Sequence, residues 1–368
     1  MSIIFENMTS NGHEELVFCS DNNTGLKAII AIHNTTIGPA LGGCRMWNYS
    51  SEAEALNDVL RLSRGMSYKA AIAGLNLGGG KAVIIGDSKK NKNEILFRSF
   101  GRFVQGLAGR YITAEDVGTS VKDMEWVRME TSYVTGLSRA LGGGGDPGPV
   151  TALGTFSGIR ATVKKHLNKD SLVGLKIAIQ GVGHVGYHLT RHLKEAGAEV
   201  LVSDLDQKAL KSVVDDFGVK VIEVDKIYGA NVDIYSPCAM GSTLNDQTIP
   251  KLKCSIVAGS ANNQLKDELK HSEMLKKKDI LYAPDYAINS GGLINCANEI
   301  EGYNRKRAFK QAEGIYDTLI NIYERADNDN VTTHEAALKE AKKRIDDISK
   351  LKNVYLPKKN LMGKRDNL

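Results

Sequence analysis

Apolar positions recur along the chain with two different periods. Lys27–Asn34 (KAIIAIHN) is a run of β-branched and small apolar residues and predicts a strand. Glu52–Ala71 sets Ala55, Leu56, Val59, Leu60 and Leu62 near helical spacing and predicts a helix with one apolar face. KAVIIGD, starting at Lys81, predicts a buried strand, and the apolar run ending at Glu115 and Asp116 (YITAED) predicts another. Leu141–Pro149 (LGGGGDPGP) interrupts both periods. Glycine lifts the Cβ restriction and proline ends regular structure, so a domain boundary or hinge is expected there.

Beyond that break the pattern changes. A helix is predicted from Val150 to Leu167, followed by the strands LKIAIQ, EVLVSD, VDIYSP, CSIVAG and ILYAPD, each flanked by helical patterns. Such alternation means parallel strands joined by crossover helices, a doubly wound α/β sheet. Two terminal helices, Lys306–Asp327 and Thr333–Lys352, are expected to pack back on the first part of the chain.

The first of these strands runs into Gly181-x-Gly183-x-x-Gly186 and then a helical pattern. In a dinucleotide turn the first glycine makes the bend, the second admits a pyrophosphate to the backbone, and the third lets helix and strand approach. Free N–H groups at the helix start, His184 and Val185 among the turn residues, then hold the phosphate. Asp204 ends the next strand at about the spacing of the ribose-binding acid. Leu205 and Asp206 follow it with no adjacent arginine, which favours NAD over NADP. Cys238 and Ala239, after VDIYSP, are counted with the cofactor-binding residues. The expected architecture is therefore α/β in two domains separated by a cleft. A mixed-sheet substrate domain covers 1–145 and 330–368, and a Rossmann-type dinucleotide-binding domain covers 146–329. His184, His188 and His192 lie four apart, but no carboxylate or cysteine stands at ligand spacing, and no metal site is expected.

LNLGGGKAVII places Lys81 in a strand bound for a core. A phosphate loop would need glycine at position 75 and Ser or Thr after the lysine, and the chain has Leu75 and Ala82. An ion pair or chemistry remains. Lys69, at the end of the helix feeding this strand, would be a second ammonium, and two such groups depress each other's pKa. Asp116 supplies a carboxylate able to move a proton to or from an amine.

Taken together, GPALGGCRM, RGMSYKAA, GLNLGGGKAV, GRYITAEDVGT, GPVTALGT, GSANNQL and YAPDYAINSGGLIN make the chain similar, over nearly its whole length, to the glutamate/leucine/phenylalanine/valine dehydrogenases. The resemblance implies NAD-dependent oxidative deamination of an L-amino acid to a 2-oxo acid and ammonium. It implies that Lys69 holds the substrate carboxylate, that Lys81 activates water, and that Asp116 exchanges protons with the amine. Asn262 would touch the substrate or the nicotinamide ribose, and Thr151 would orient the nicotinamide amide. It also implies a homo-oligomer, an octamer or a dimer.

Glutamate-specific members of that family carry a lysine in Gly-Pro-x-Lys-Gly-Gly, where this chain has Leu41. Leu41, Ala114, Leu293 and Cys296 would form an apolar side-chain pocket, with Gly42 and Met66 among the substrate-binding residues. A leucine cannot neutralise a buried carboxylate, so leucine, isoleucine or valine is expected as substrate and glutamate is rejected. Valine, phenylalanine or tryptophan dehydrogenase activity is the alternative.

Composition narrows the rest. Of 368 residues, 42% are hydrophobic and 25% charged, the balance of a globular protein. The net charge of +5 gathers in a basic run after Lys339, which reads as a solvated tail and not as a nucleic-acid surface. Cys19, Cys44, Cys238, Cys254 and Cys296 are widely spaced and form no C-x-x-C pair, as for reduced thiols. Acids at the N-terminus and the lack of an 18-residue apolar run predict a cytoplasmic protein with no membrane partner. A 2-hydroxy-acid dehydrogenase would need a histidine–carboxylate pair at a strand end, which is missing from these motifs. A non-enzymic NAD-binding regulator would have no use for Lys69, Lys81 and Asp116 together.

Overall fold

The structure, a computed structural model, describes residues 3–239 and 241–351. The chain forms two compact units. The first holds the residues up to Asp146, Asn295–Arg305 and those from Ala341; the second holds Pro147–Ile294 and Lys306–Glu340.

The first unit is built on a five-stranded sheet of β1 (Glu15–Asp21), β2 (Leu26–Asn34), β3 (Ala40–Trp47), β4 (Gly78–Ile85) and β5 (Tyr111–Glu115), in the order β1-β2-β4-β3-β5. β1, β2 and β4 pair antiparallel, whereas β3 runs parallel to both β4 and β5. Helix Glu52–Ile72 begins where the Ser51 hydroxyl accepts the Glu54 N–H. Its apolar stripe, Ala55, Leu56, Val59 and Leu60, buries Ile29, Ala31 and Val83 on one face of the sheet. The opposite face packs Ile30, Cys44, Ala82 and Ile84 against Phe97, Phe100 and Val104 of helix Glu94–Gly106 and Met124 and Val127 of helix Val121–Arg128.

β4 begins at Gly78, earlier than the lysine where the apolar run starts. Each glycine makes room for a different neighbour. A Cβ on Gly78 would strike the Asn34 carbonyl, one on Gly79 the Ser67 backbone of the long helix, and one on Gly80 the Tyr111 ring at 2.8 Å. A stretch that reads locally as a loop is thus a strand held at unusually close range.

The second unit carries a six-stranded, wholly parallel sheet. Its strands are β6 (Lys176–Gln180), β7 (Glu199–Ser203), β8 (Lys220–Val221), β9 (Ile234–Pro237), β10 (Ile256–Val257) and β11 (Leu281–Tyr282), in the order β11-β10-β9-β6-β7-β8. This is the dinucleotide-binding order, with its reversal between β6 and β9. β8 was not legible in the sequence, because it is two exposed residues long.

The terminal helices correct an expectation. Lys306–Asp327 forms the helices Arg305–Glu313 and Ile315–Asp329, and both belong mainly to the second unit. There Ile315, Leu319, Ile322 and Tyr323 are buried, Gly154 and Gly158 of helix Gly148–Leu167 make room for Ile315 and Leu319, and Thr162 and Tyr323 share a 2.7 Å hydrogen bond. Helix Thr333–Ser349 changes unit at Ala341. Beyond that point Arg344 donates to the carbonyls of Ala71, Gly74 and Leu75 and to Asn76 Oδ1, closing the end of helix Glu52–Ile72. The basic C-terminal run from residue 352 lies outside the described residues. Among the described residues, no helix is long and apolar enough to cross a membrane.

Candidate active site

Strand register decides which side chains share a face. Leu41 pairs with Gly79 and Ile112, Gly43 with Ala114, and Arg45 with Val83. Because side chains alternate along a strand, Leu41, Gly43, Arg45, Lys81 and Ala114 project to one face, that of helix Glu52–Ile72. Lys81 is only 6% exposed, and its Nζ lies 3.1 Å from Asp116 Oδ2. Arg45 Nε reaches the same oxygen at 3.1 Å, while its Nη1 donates to Asp58 Oδ2 at 2.8 Å. Tyr49 also donates to Asp58 Oδ2, and Arg61 to Asp58 Oδ1.

Asp116 stands just past the end of β5, in a turn fixed by Thr119. The Asp116 N–H donates to Thr119 Oγ1, which donates onward to the Cys44 carbonyl. Burial works to raise the Asp116 pKa, but the Lys81 ammonium and the Arg45 guanidinium prevail and hold it below the usual aspartate value. Gly43 is what admits this carboxylate, since a Cβ there would lie 2.9 Å from Asp116 Cβ and closer still to the Glu115 carbonyl.

Several expected residues gather here and others do not. Lys69 sits in the last turn of the long helix, with Met66 one turn earlier on the same side, both half-buried. A second ammonium was expected to act on Lys81; the ionic contact observed is with an acid, Asp116. The Lys69 charge acts on the half-buried Cys296 thiol. Burial raises that thiol's pKa, Glu299 and Glu115 raise it further, and Thr135 and Lys69 oppose them. Leu41 and Ala114 are buried in the first unit, at 1% and 6% exposure, whereas Leu293 belongs to the second. Gly42 lies against β4, where a Cβ would strike the Gly80 carbonyl and lie 3.4 Å from the Lys81 backbone nitrogen, and its own carbonyl accepts the Tyr111 hydroxyl at 2.6 Å. Its neighbour Gly43 abuts Glu115 and Asp116 instead.

The reading of the sequence missed Gly43, Arg45, Asp58 and Glu299. The first two lie within GPALGGCRM and could have been found there. Asp58 gives no local signal. Glu299 stands as an acid inside the apolar stretch GGLINCANEI, which was a signal. It is fully buried, and its carboxylate accepts the N–H groups of Gly136 (3.0 Å), Leu137 (3.3 Å) and Gly144 (2.8 Å).

In the second unit the glycine turn has the form its spacing predicts. Gly181 adopts φ +98°, and a Cβ there would lie 2.7 Å from Ala239 Cβ. A Cβ on Gly186 would strike the Gly181 carbonyl. At Gly183 a Cβ would meet no atom within 4 Å, so the protein's own packing does not require glycine there. A backbone left bare toward open space, at the start of helix His184–Glu195, fits a pyrophosphate, for which His184 and Val185 carry the first-turn N–H groups. Asp204 braces the turn by accepting the Val182 N–H at 2.7 Å and the Asp206 N–H at 2.9 Å. The Cys238 N–H donates to the Gln180 carbonyl, which brings the end of β9 to the same end of the sheet. Thr151 is buried and donates to the Pro147 carbonyl, and exposed Asn262 accepts from Asn289 at 2.8 Å. His192 packs on Phe156, and among the described residues no cluster of His, Cys, Asp or Glu could hold a metal ion.

The family model for the Glu/Leu/Phe/Val dehydrogenase dimerisation domain matches residues 13–133, and that for glutamate/leucine/phenylalanine/valine dehydrogenase matches residues 203–355. A leucine dehydrogenase of Thermoactinomyces intermedius is 54% identical over 353 residues, 96% of either chain. The protein belongs to the Glu/Leu/Phe/Val dehydrogenase family. The chain is also similar to a phenylalanine dehydrogenase of the same organism, 47% identical over 97% of this chain and 98% of that one. The crystal structure of L-tryptophan dehydrogenase from Nostoc punctiforme superposes with a TM-score of 0.85 at 48% identity, covering 95% of this chain and 100% of that one. As a member of this family the protein is an amino acid dehydrogenase, and the ion pair between Lys81 and Asp116 lies within the first matched segment.

Proposed function

We propose that the protein catalyses the reversible, NAD-linked oxidative deamination of L-leucine and related branched-chain amino acids to 2-oxo acids and ammonium. The observation that carries this reading is the buried Lys81–Asp116 contact of 3.1 Å on the same sheet face as apolar Leu41 and Ala114. Asp116, held ionised, accepts the proton of the substrate ammonium, so that the nitrogen lone pair can drive hydride loss from Cα. Lys81 activates the water that adds to the imine and stabilises the carbinolamine. It faces Asp116 at hydrogen-bond distance, so a proton can pass along that contact. Lys69 pairs with the substrate carboxylate.

The nicotinamide of NAD, when bound, takes up the hydride. The turn Gly181–Gly186 with Cys238 and Ala239 would hold its pyrophosphate, Asp204 its ribose, and Thr151 and Asn262 its nicotinamide end. A carboxylate at position 204 repels a 2′-phosphate, which supports NAD over NADP. The identity to leucine dehydrogenases, at 54%, exceeds that to the phenylalanine and tryptophan enzymes at 47% and 49%, and the aromatic substrates form the second reading. A cytoplasmic homo-oligomer completes the proposal.

The test is NADH formation, followed by ultraviolet absorbance, with a panel of L-amino acids. Leucine, isoleucine and valine should be used with shallow discrimination, since a methylene in an apolar pocket is worth about 1–3 kcal/mol. Glutamate should be at least about 100-fold poorer, because Leu41 leaves its side-chain carboxylate unpaired. A preference for phenylalanine or tryptophan would select the second reading, and a preference for glutamate would overturn both. Lys81→Ala should abolish turnover while NADH still binds; turnover near wild type would remove Lys81 from its role.

A further inference from the structure

We propose that Arg45 is a positioning residue for the proton transfer: it fixes the Asp116 carboxylate with Oδ2 turned toward the two cations and Oδ1 left for the substrate amine, and Asp58 holds it in that pose. The inference rests on the reading of Asp116 as the group that exchanges a proton with the amine.

The geometry is that of a planar fork bridging two acids. Arg45 Nε meets Asp116 Oδ2 at 3.1 Å while Nη1 meets Asp58 Oδ2 at 2.8 Å, so the guanidinium cannot turn without giving up one of them. Asp58 is itself pinned on both oxygens, by Arg45 and Tyr49 on Oδ2 and by Arg61 on Oδ1. The chain Arg61–Asp58–Arg45–Asp116–Lys81 thus runs from the long helix across β3 to β4. Both cations converge on one oxygen of Asp116, Oδ2. A carboxylate tethered in this way presents a fixed lone pair and cannot spin to exchange its oxygens.

Lys81 faces Asp116 from β4 and Arg45 from β3, and the Asp116 charge acts on the Cys44 thiol, the Tyr111 phenol and, behind Arg45, the Tyr49 phenol. Burial first of all pushes the pKa of each of those three upward, so they are uncharged at neutral pH. Glu115 adjoins Asp116 in the chain, and Asp58 is the acid that shares the Arg45 guanidinium. Arg45 therefore supplies one of the two positive charges in contact with the carboxylate. An opposite charge at this range lowers a carboxyl pKa by about 1–3 units, so its removal should raise that of Asp116.

The experiment is the pH profile of kcat/KM for the best substrate of the amino acid panel, in wild type, Arg45→Gln, Arg45→Lys, Asp58→Ala and Asp116→Asn. NADH binding and thermal melting are measured alongside. Arg45→Gln should move the acid limb upward by about one pH unit and lower kcat about 10- to 100-fold, with NADH binding unchanged. Arg45→Lys restores the cation without the fork, so the acid limb should return while kcat stays several-fold low. Asp58→Ala, which removes the acceptor and frees one arm of the guanidinium, should lower kcat with a smaller movement of the limb. A folded Arg45→Gln variant with an unmoved acid limb overturns the proposal. Should that variant not fold, an Asp58→Ala enzyme with wild-type kcat and profile overturns it instead. Full turnover by Asp116→Asn would mark failure of the parent reading, whatever Arg45 does.

Discussion

Gly43→Ala puts the packing of the site to a quantitative test. An added Cβ would lie 2.9 Å from Asp116 Cβ and 3.1 Å from the Glu115 carbonyl carbon, with the Glu115 oxygen nearer still. Carbon atoms rest about 3.5–4.0 Å apart, so the end of β5 must retreat by roughly 0.6–1.1 Å. Lys81 and Arg45 each hold Asp116 at 3.1 Å, and a retreat of that size stretches both contacts toward the limit of a hydrogen bond. Misplacement of a reacting group by about 1 Å costs on the order of 100-fold in rate, which is roughly 2.7 kcal/mol of barrier. Overpacking a strand interior should cost a further 1–3 kcal/mol or so of stability. The assay is the initial rate of NADH formation at saturating coenzyme, with far-ultraviolet circular dichroism to follow unfolding. The control is Gly65→Ala, on the long helix, where a Cβ would meet nothing within 4 Å. It should leave turnover unchanged and raise stability by about 0.5–1 kcal/mol. A Gly43→Ala enzyme with kcat/KM within about twofold of wild type would refute the argument, since it would mean that Asp116 tolerates the displacement that should disable it.

Two further outcomes follow from contacts outside the charge network. Asp204→Asn keeps an acceptor for the Val182 N–H but loses the charge, so KM for NAD should rise about tenfold and discrimination against NADP should fall, with kcat little altered; initial rates with both coenzymes check this, and an unchanged preference counts against the role. Arg344→Ala removes the guanidinium that caps the end of helix Glu52–Ile72, leaving the carbonyls of Ala71, Gly74 and Leu75 without it. The loss should be about 1.5–3 kcal/mol, read as a lower urea midpoint, and a midpoint equal to wild type would show that the last helix does not brace the one carrying Lys69.

The elements set by short-range chemistry were legible in the sequence. The turn Gly181–Gly186, the apolar strands on either side of it and the break at LGGGGDPGP depend on backbone freedom, periodicity and a few adjacent residues, and all of these lie within a short window. Lys81 and Asp116 were identifiable as chemical candidates because a charge inside or beside an apolar run is anomalous wherever the chain goes. What they touch was not readable. Arg45 and Asp116 are 71 residues apart, and Glu299 meets Gly144 across 155. Only the register of β3 between β4 and β5 sets Gly42 against Gly80, and Gly43 and Arg45 against Asp116. Periodicity along one strand fixes that neighbouring residues face opposite ways, but the absolute face is chosen by pairing with other strands, and that choice is made only when the sheet closes.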